Sequence, residues 1–308
     1  MKIAFLFSGQ GAQYPGMLRD LYESEPAAKA VFDCADAALQ REISSLCFSG
    51  TQEELNLTHN TQPAVLAADL AAAAALKAHG VAPAAAAGFS LGEYAALSFA
   101  GALSAEEAFR LIQIRADAMQ EAVPAGEGGM AAFVGADASQ VEAICEQVTA
   151  GYVVAANYNS PVQTVVSGSA AGVDEACALA AQAGLRCVKL AVSAPFHCRL
   201  MEPAAKRLET EFVSVSFADP SIPVYMNVDG MPLPSGAAAP ALLVRQAMSP
   251  VRWVQTLLNM QADGIDTFVE CGPGKTLSGL VKKTLKGATV LRVENAKTFA
   301  ETLSALGA

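Results

Sequence analysis

Ala84-Ala85-Ala86-Ala87-Gly88-Phe89-Ser90-Leu91-Gly92-Glu93 is the stretch on which the reading of the fold turns. The apolar run Ala84 to Phe89 reads as a buried strand, although alanine has little β-propensity of its own. It meets a serine between two glycines, and from there through Ala100 the texture is helical. Glycine on both sides lets the chain turn sharply and leaves the serine hydroxyl exposed, the geometry of a nucleophile elbow. A helix starting at such a turn brings backbone N–H groups, that of Leu91 among them, to the place where an oxyanion would form. G-x-S-x-G alone occurs by chance in many sequences; the strand before it and the helix after it give it weight. Strand, tight turn, helix is the order of an α/β protein whose site lies at the ends of its strands.

Toward the N-terminus, Ile3 to Phe7 reads as a second buried strand that also runs into a glycine turn, Ser8-Gly9-Gln10-Gly11. Helices are predicted over Pro26 to Leu39, Pro63 to His79 and Ala105 to Met119. Between Gly126 and Val192 the texture changes to strand Gly129–Val134, helix Ser139–Val148 and strand Tyr152–Tyr158. A turn at Asn159-Ser160-Pro161 leads to strand Gln163–Ser167, helix Gly172–Ala183 and strand Arg186–Val192. The order βαββαβ is that of a ferredoxin-like unit. The expected organisation is an α/β core with a parallel sheet, residues 1–124 and 195–308, and an inserted ferredoxin-like subdomain, residues 125–194. Pro124, Gly126 and Gly128 mark the entry to the insertion and Pro195 its exit. Thr267 to Glu270 and Val290 to Val293 are further strands of the core, with a helix from Lys275 between them. The turn Gly272-Pro273-Gly274-Lys275-Thr276 lacks the glycine that a phosphate loop needs at the position of Val269, so it reads as structural.

With 53% hydrophobic and 16% charged residues over 308 positions, the chain is globular and long enough for a sizeable core. A net charge of -10 argues against nucleic acid or an anionic membrane as partner. Such a protein binds an anionic substrate only through a local positive group. Seven cysteines, odd in number and without a C-x-x-C pair, suit reduced thiols rather than a disulfide framework or a zinc site. The apolar run Ile3 to Phe7 is too short for a signal-peptide core, and Ala64 to Leu76 is too short to span a bilayer and carries Asp69. A soluble, cytoplasmic protein is expected.

A serine hydroxyl needs a base, and there are three histidines. His79 ends an alanine-rich helix just before Gly80, where an ordinary C-terminal helix residue is the better reading. His59 lies in the polar stretch Thr58-His59-Asn60-Thr61 and reads as a solvated loop residue. His197 lies in Ser193-Ala194-Pro195-Phe196-His197-Cys198, beside a proline-stiffened turn just past the insertion. Taken alone it would be a structural histidine; with an elbow serine in need of a partner it becomes the preferred base.

Over nearly its whole length the chain resembles the malonyl-CoA:acyl carrier protein transacylases of fatty-acid and polyketide synthesis. The resemblance rests on the order and spacing of Phe7-Ser8-Gly9-Gln10-Gly11-Ala12-Gln13, Thr61-Gln62-Pro63, Gly88 to Glu93 and Arg115 with Met119-Gln120. Ala156-Asn157-Tyr158-Asn159-Ser160-Pro161, Pro195-Phe196-His197 and Gly272-Pro273-Gly274-Lys275 complete it. It implies an α/β-hydrolase-like core and a ping-pong transfer with Ser90 as the acylated nucleophile and His197 as its base. It further implies an oxyanion hole from the backbone N–H groups of Gln10 and Leu91, and a main-chain carbonyl of Gln246 orienting the histidine. Arg115 matches the arginine that holds the malonyl carboxylate, Gln62 and Asn159 match pocket residues, and Phe196 goes with malonyl rather than methylmalonyl units. Malonyl-CoA would be donor, acyl carrier protein a transient partner docking through basic residues, and no metal or bound cofactor is implied. Phe89 stands where histidine is common, Ser8 where proline is usual, Cys198 for serine and Ala116 for glycine; none of these removes a catalytic group.

Arg115 also makes physical sense by itself, since a guanidinium offers two parallel donors to a carboxylate and supplies the positive group that the acidic chain requires. The Ser–His pair does not distinguish transfer to a thiol from transfer to water, so a serine hydrolase is the main rival. A silent interaction module with the same fold is the other. The choice between a fatty-acid and a polyketide pathway stays open at this level.

Overall fold

The computed structural model describes residues 1–192 and 194–308; Ser193 lies outside them. Five strands form an all-parallel sheet in the order β7-β2-β1-β8-β9: β1 (Ile3–Phe7), β2 (Ala85–Gly88), β7 (Val224–Tyr225), β8 (Thr267–Cys271) and β9 (Thr289–Val293). A separate antiparallel sheet has the order β4-β5-β3-β6, from β3 (Gly128–Val134), β4 (Val153–Ser160), β5 (Gln163–Ser169) and β6 (Arg186–Lys189). The fold is thus mixed α/β with one parallel and one antiparallel sheet.

β1 and β2 read as unbroken apolar runs because both of their faces are covered. Along β1, Phe5 and Phe7 pack into a core with the Thr58–Ala78 and Gly92–Phe99 helices, while Ala4 and Leu6 pack against Trp253, Leu257 and Leu280 on the other side. β2 is divided in the same way, Ala86 to the first core and Ala85 and Ala87 to the second. Burial on both faces, not intrinsic propensity, makes this alanine run a strand.

The Thr58–Ala78 helix starts five residues before the predicted Pro63, which lies inside it. A proline interrupts the ladder by removing one N–H, and here the bereft carbonyl is that of His59. It accepts instead from Arg41 Nη1 at 3.3 Å and Gln113 Nε2 at 3.2 Å. His59, read from sequence as a solvated loop residue, is therefore a half-buried residue of the first helical turn.

The order β3, helix Ala138–Gln147, β4, β5, helix Ala170–Gln182, β6 matches the βαββαβ expectation. β4 runs on to Ser160, so Asn159 is on a strand and the turn moves to Pro161-Val162. β6 stops at Lys189 rather than Val192: Leu190 N–H still reaches the Met130 carbonyl at 2.9 Å, after which Val192 N–H folds back to Leu190. β4 also joins the two layers, as Tyr158 N–H donates to Val251 at 2.9 Å and Val251 N–H to Ala156 at 2.8 Å. Among the described residues no helix is long and apolar enough to cross a membrane.

Candidate active site

The first two parallel strands end side by side, with Phe7 paired to Gly88, and the chain leaves both at the same edge of the sheet. Ser90 has φ of 55°, the left-handed region that costs a side-chain-bearing residue energy and persists only where the surroundings impose it. The glycines impose it. A Cβ on Gly88 would lie 1.8 Å from the Gly92 carbonyl carbon, and one on Gly92 would lie 2.5 Å from the Phe7 oxygen. Asn227, just beyond β7, braces the turn: Ser90 N–H donates to its Oδ1 at 2.7 Å and its Nδ2 donates to the Gly88 carbonyl at 2.7 Å.

His197 also has a positive φ, 60°, and is 3% exposed. Its Nδ1 is 3.0 Å from the main-chain oxygen of Gln246, near the end of the Ala239–Ala247 helix. A carbonyl only accepts, so Nδ1 carries the proton and Nε2 is left bare. Nε2 is 2.7 Å from Ser90 Oγ, placed to receive the hydroxyl proton. Burial, and then the nearby Arg115 charge, push the imidazole down to about 4, so it is neutral and basic at ordinary pH.

Arg115, from the Ala105–Glu121 helix, is 2% exposed. Its Nη1 donates to Gln62 Oε1 at 2.6 Å, and its Nη2 to Ser90 Oγ and Gln246 Oε1, each at 3.0 Å. The Nε has no partner among the described residues, and the guanidinium carbon lies 5.8 Å from the Tyr94 ring centre. Glu93 is the buried carboxyl beside this group. Its Oε1 accepts the Asn227 N–H in a short bond and its Oε2 accepts Gln246 Nε2 at 2.8 Å. Burial raises this carboxyl to about 8, against the pull of those donors and of Arg115.

The remaining residues expected at the site are there as well. Gln10, Leu91, Gln62, Asn159 and Phe196 line the same cleft as Ser90 and His197. The backbone N–H groups of Gln10 and Leu91 donate to nothing among the described residues, as amides reserved for an oxyanion would. Asn159 Oδ1 is buried without a partner among the described residues. His59 and His79 are elsewhere: His79 caps its helix and pairs with Glu25 at 3.0 Å. Sequence reasoning missed Glu93, Asn227 and the side chain of Gln246. A charged residue in the first turn of an otherwise apolar helix was a signal for Glu93; nothing local points to Asn227.

A hydroxyl aimed at a neutral imidazole, two idle amides beside it and a buried cation within reach are an arrangement that can carry covalent acyl transfer through serine. The sequence pattern of the acyl transferase domain family matches residues 4–301, and the chain belongs to this family. The malonyl CoA-acyl carrier protein transacylase of Bacillus subtilis (strain 168) is 45% identical over 97% of this chain and 95% of its own. The solved transacylase of the same name from Coxiella burnetii is 40% identical and superposes with a TM-score of 0.96, covering 99% of this chain and 98% of that one. A malonyl-transacylase solved in complex with a type II polyketide synthase acyl-carrier protein is 38% identical with a TM-score of 0.96, covering 99% of this chain and all of the other.

Proposed function

We propose that this chain transfers malonyl from malonyl-CoA to the phosphopantetheine thiol of acyl carrier protein, through an ester on Ser90, for fatty-acid biosynthesis. The observation that carries this reading is Arg115, buried with Nη2 3.0 Å from Ser90 Oγ. In a malonyl thioester one methylene separates the carboxylate from the reacting carbon, so a cation beside the nucleophile holds the first while the second is attacked. The full-length relatives named for this reaction support the same substrate and acceptor.

The carboxylate displaces Ser90 Oγ from Arg115 and takes up the guanidinium donors, including those now spent on neutral oxygens. Ser90 Oγ attacks the thioester carbon while its proton passes to His197 Nε2. The developing oxyanion accepts from the Gln10 and Leu91 amides. The C–S bond breaks and the departing sulfur takes the proton from His197. The carrier's thiol then runs the same steps in reverse. The scheme uses no bound cofactor or metal. Gln62 and Asn159 hold the pocket's polar wall, and Phe196 crowds the malonyl α-carbon.

The finer fold assignment belongs with this reading: an α/β-hydrolase-like core over residues 1–124 and 195–308, with a ferredoxin-like subdomain over 125–194. It is supported by the elbow at the end of β2 and by the β4-β5-β3-β6 order. A cytoplasmic setting fits the seven free cysteines.

Intact-protein mass spectrometry after brief mixing with malonyl-CoA tests the function. Wild type should gain one malonyl group, lose it to added carrier protein, and gain none as Ser90→Ala. Discharge to water alone would make it a hydrolase, and no acylation with malonyl-, acetyl- or methylmalonyl-CoA would leave a silent module.

A further inference from the structure

Gln246 serves the site twice. Its main-chain oxygen orients His197, while its side chain touches three other groups: Oε1 accepts from Arg115 Nη2 at 3.0 Å, and Nε2 donates to the Ser90 carbonyl at 2.7 Å and to Glu93 Oε2 at 2.8 Å. The three contacts allow one orientation of the carboxamide. Arginine has no acceptor and a carbonyl has no donor, so turning the amide over would set N–H against N–H at Arg115 and oxygen against oxygen at Ser90. Both oxygens of Glu93 are filled by donors, the Asn227 N–H and Gln246 Nε2, so the ionised carboxylate satisfies both.

We propose that Glu93 is a positioning residue for acyl-group selection: through the Gln246 carboxamide it sets the direction in which Arg115 presents its guanidinium beside Ser90, favouring an acyl group that ends in a carboxylate. The charged groups that bear on Glu93 are Arg115, which favours its ionisation, and Asp229, which opposes it. The Arg115 guanidinium lies over the ring of Tyr94, the residue next to Glu93 on the same helix. Glu93 touches neither Ser90 Oγ nor His197, and the His197 anchor is a main-chain atom that does not depend on the Gln246 side chain.

Glu93→Gln isolates this role. A glutamine offers one acceptor and one donor group where two donors now point, so either Asn227 N–H or Gln246 Nε2 faces an N–H. If Gln246 turns over to relieve this, the clash passes to Arg115. At pH above about 8, where wild-type Glu93 is ionised, acylation by malonyl-CoA, which uses Arg115, should therefore fall about ten-fold or more, a loss expected for a misplaced bond to a charged group. Labelling of Ser90 by an uncharged fluorophosphonate, which uses only the serine, the histidine and the oxyanion amides, should fall far less.

The inference rests on the malonyl-transfer reading, and the two fail separately. Wild type that never loads malonate removes the reading itself. Wild type that loads, with a variant in which malonyl loading and fluorophosphonate labelling decline together or neither declines, overturns the role of Glu93 alone. If Glu93→Gln does not fold, the wild-type ratio of the two rates carries the test. That ratio should rise with pH through the Glu93 transition at about 8, and a flat ratio overturns the proposal.

Discussion

His197 donates its Nδ1–H to the main-chain oxygen of Gln246, 3.0 Å away, at the position where a serine triad places a carboxylate. A carbonyl fixes tautomer and ring direction as well as an aspartate does, but it brings no negative charge to hold a second proton. Burial, and then the nearby Arg115 charge, hold the imidazole far below its ordinary value of 6.5, at about 4.

The first prediction is the pH profile of Ser90 acylation. The active form of the base is unprotonated, so the rate should hold its plateau as pH falls past 6.5 and drop only as His197 gains a proton near 4. Single-turnover loading against pH measures this, and a half-maximal rate near 6.5 would sink it. His197→Ala should cost roughly 10²–10⁴-fold over the plateau.

Stability should respond to pH in two opposed ways. His197 is depressed in the folded chain, so its contribution is complete above about 6.5 and fades as pH falls toward 4. Glu93 is raised from 4.5 to about 8, so the folded chain holds a proton that the unfolded chain has released; that contribution is complete below 4.5 and fades as pH rises through 8. Thermal melts across this range should show the alkaline decline reduced in Glu93→Gln, while His197→Ala reduces the acid one. Curves of unchanged shape in both variants would refute the assignment.

Arg115→Lys keeps the charge and should still fail. The guanidinium contacts Gln62, Ser90 and Gln246 from two nitrogens at once, and a lysine ammonium cannot span that set. Malonyl loading should fall by about 10²-fold, mostly through KM, as expected when a charged bidentate pair is lost. Steady-state kinetics with malonyl-CoA decides; near-wild-type KM would mean that charge alone suffices.

The elbow could be read from the sequence because its requirements are local. Strand, glycine, serine, glycine and helix are consecutive, and the backbone clashes at Gly88 and Gly92 involve residues within that stretch or beside it on β1. The Arg115–Gln62 contact spans 53 residues and the Gln246–Glu93 contact spans 153, and no local pattern announces either. Arg115 and Gln246 were placed at the site by family resemblance. Glu93 closes the Gly88 to Glu93 motif, but the motif assigns it no role, and Asn227 lies in no motif; their contact exists only once β7 lies beside β2. Pro63 misled for a related reason: the side chains that take over the His59 carbonyl come from Arg41 and Gln113, far away in sequence.

Two glycine substitutions separate steric necessity from mere preference. A Cβ on Gly88 would fall inside the backbone of Gly92, at 1.8 Å, whereas one on Gly129 meets nothing within 4 Å. Gly129→Ala should be neutral or raise stability by up to ~1 kcal/mol, by restricting the unfolded chain. Gly88→Ala forces the elbow apart and should cost several-fold more, on the order of 3 kcal/mol or failure to fold. Denaturant melts of the pair test this, and equal effects would mean that the turn relaxes more easily than its packing implies.

Phe196 is the site residue whose replacement should change the substrate. It precedes the base, lines the cleft and is 7% exposed, in an apolar cluster with Met119, Met130, Ala156 and Val165. Truncation to alanine would confuse selectivity with stability, since deleting a buried ring costs roughly 3–5 kcal/mol. Phe196→Leu keeps the site apolar and withdraws only part of the ring, leaving room for a branch on the acyl α-carbon. Discrimination against one methyl group is worth about 1–3 kcal/mol, so the ratio of methylmalonyl to malonyl loading should rise by roughly 10-fold or more. Competition between the two thioesters, read as the mass of the Ser90 adduct, measures that ratio directly. An unchanged ratio in a folded, malonyl-competent variant would show that the α-methyl is excluded by another wall of the cleft.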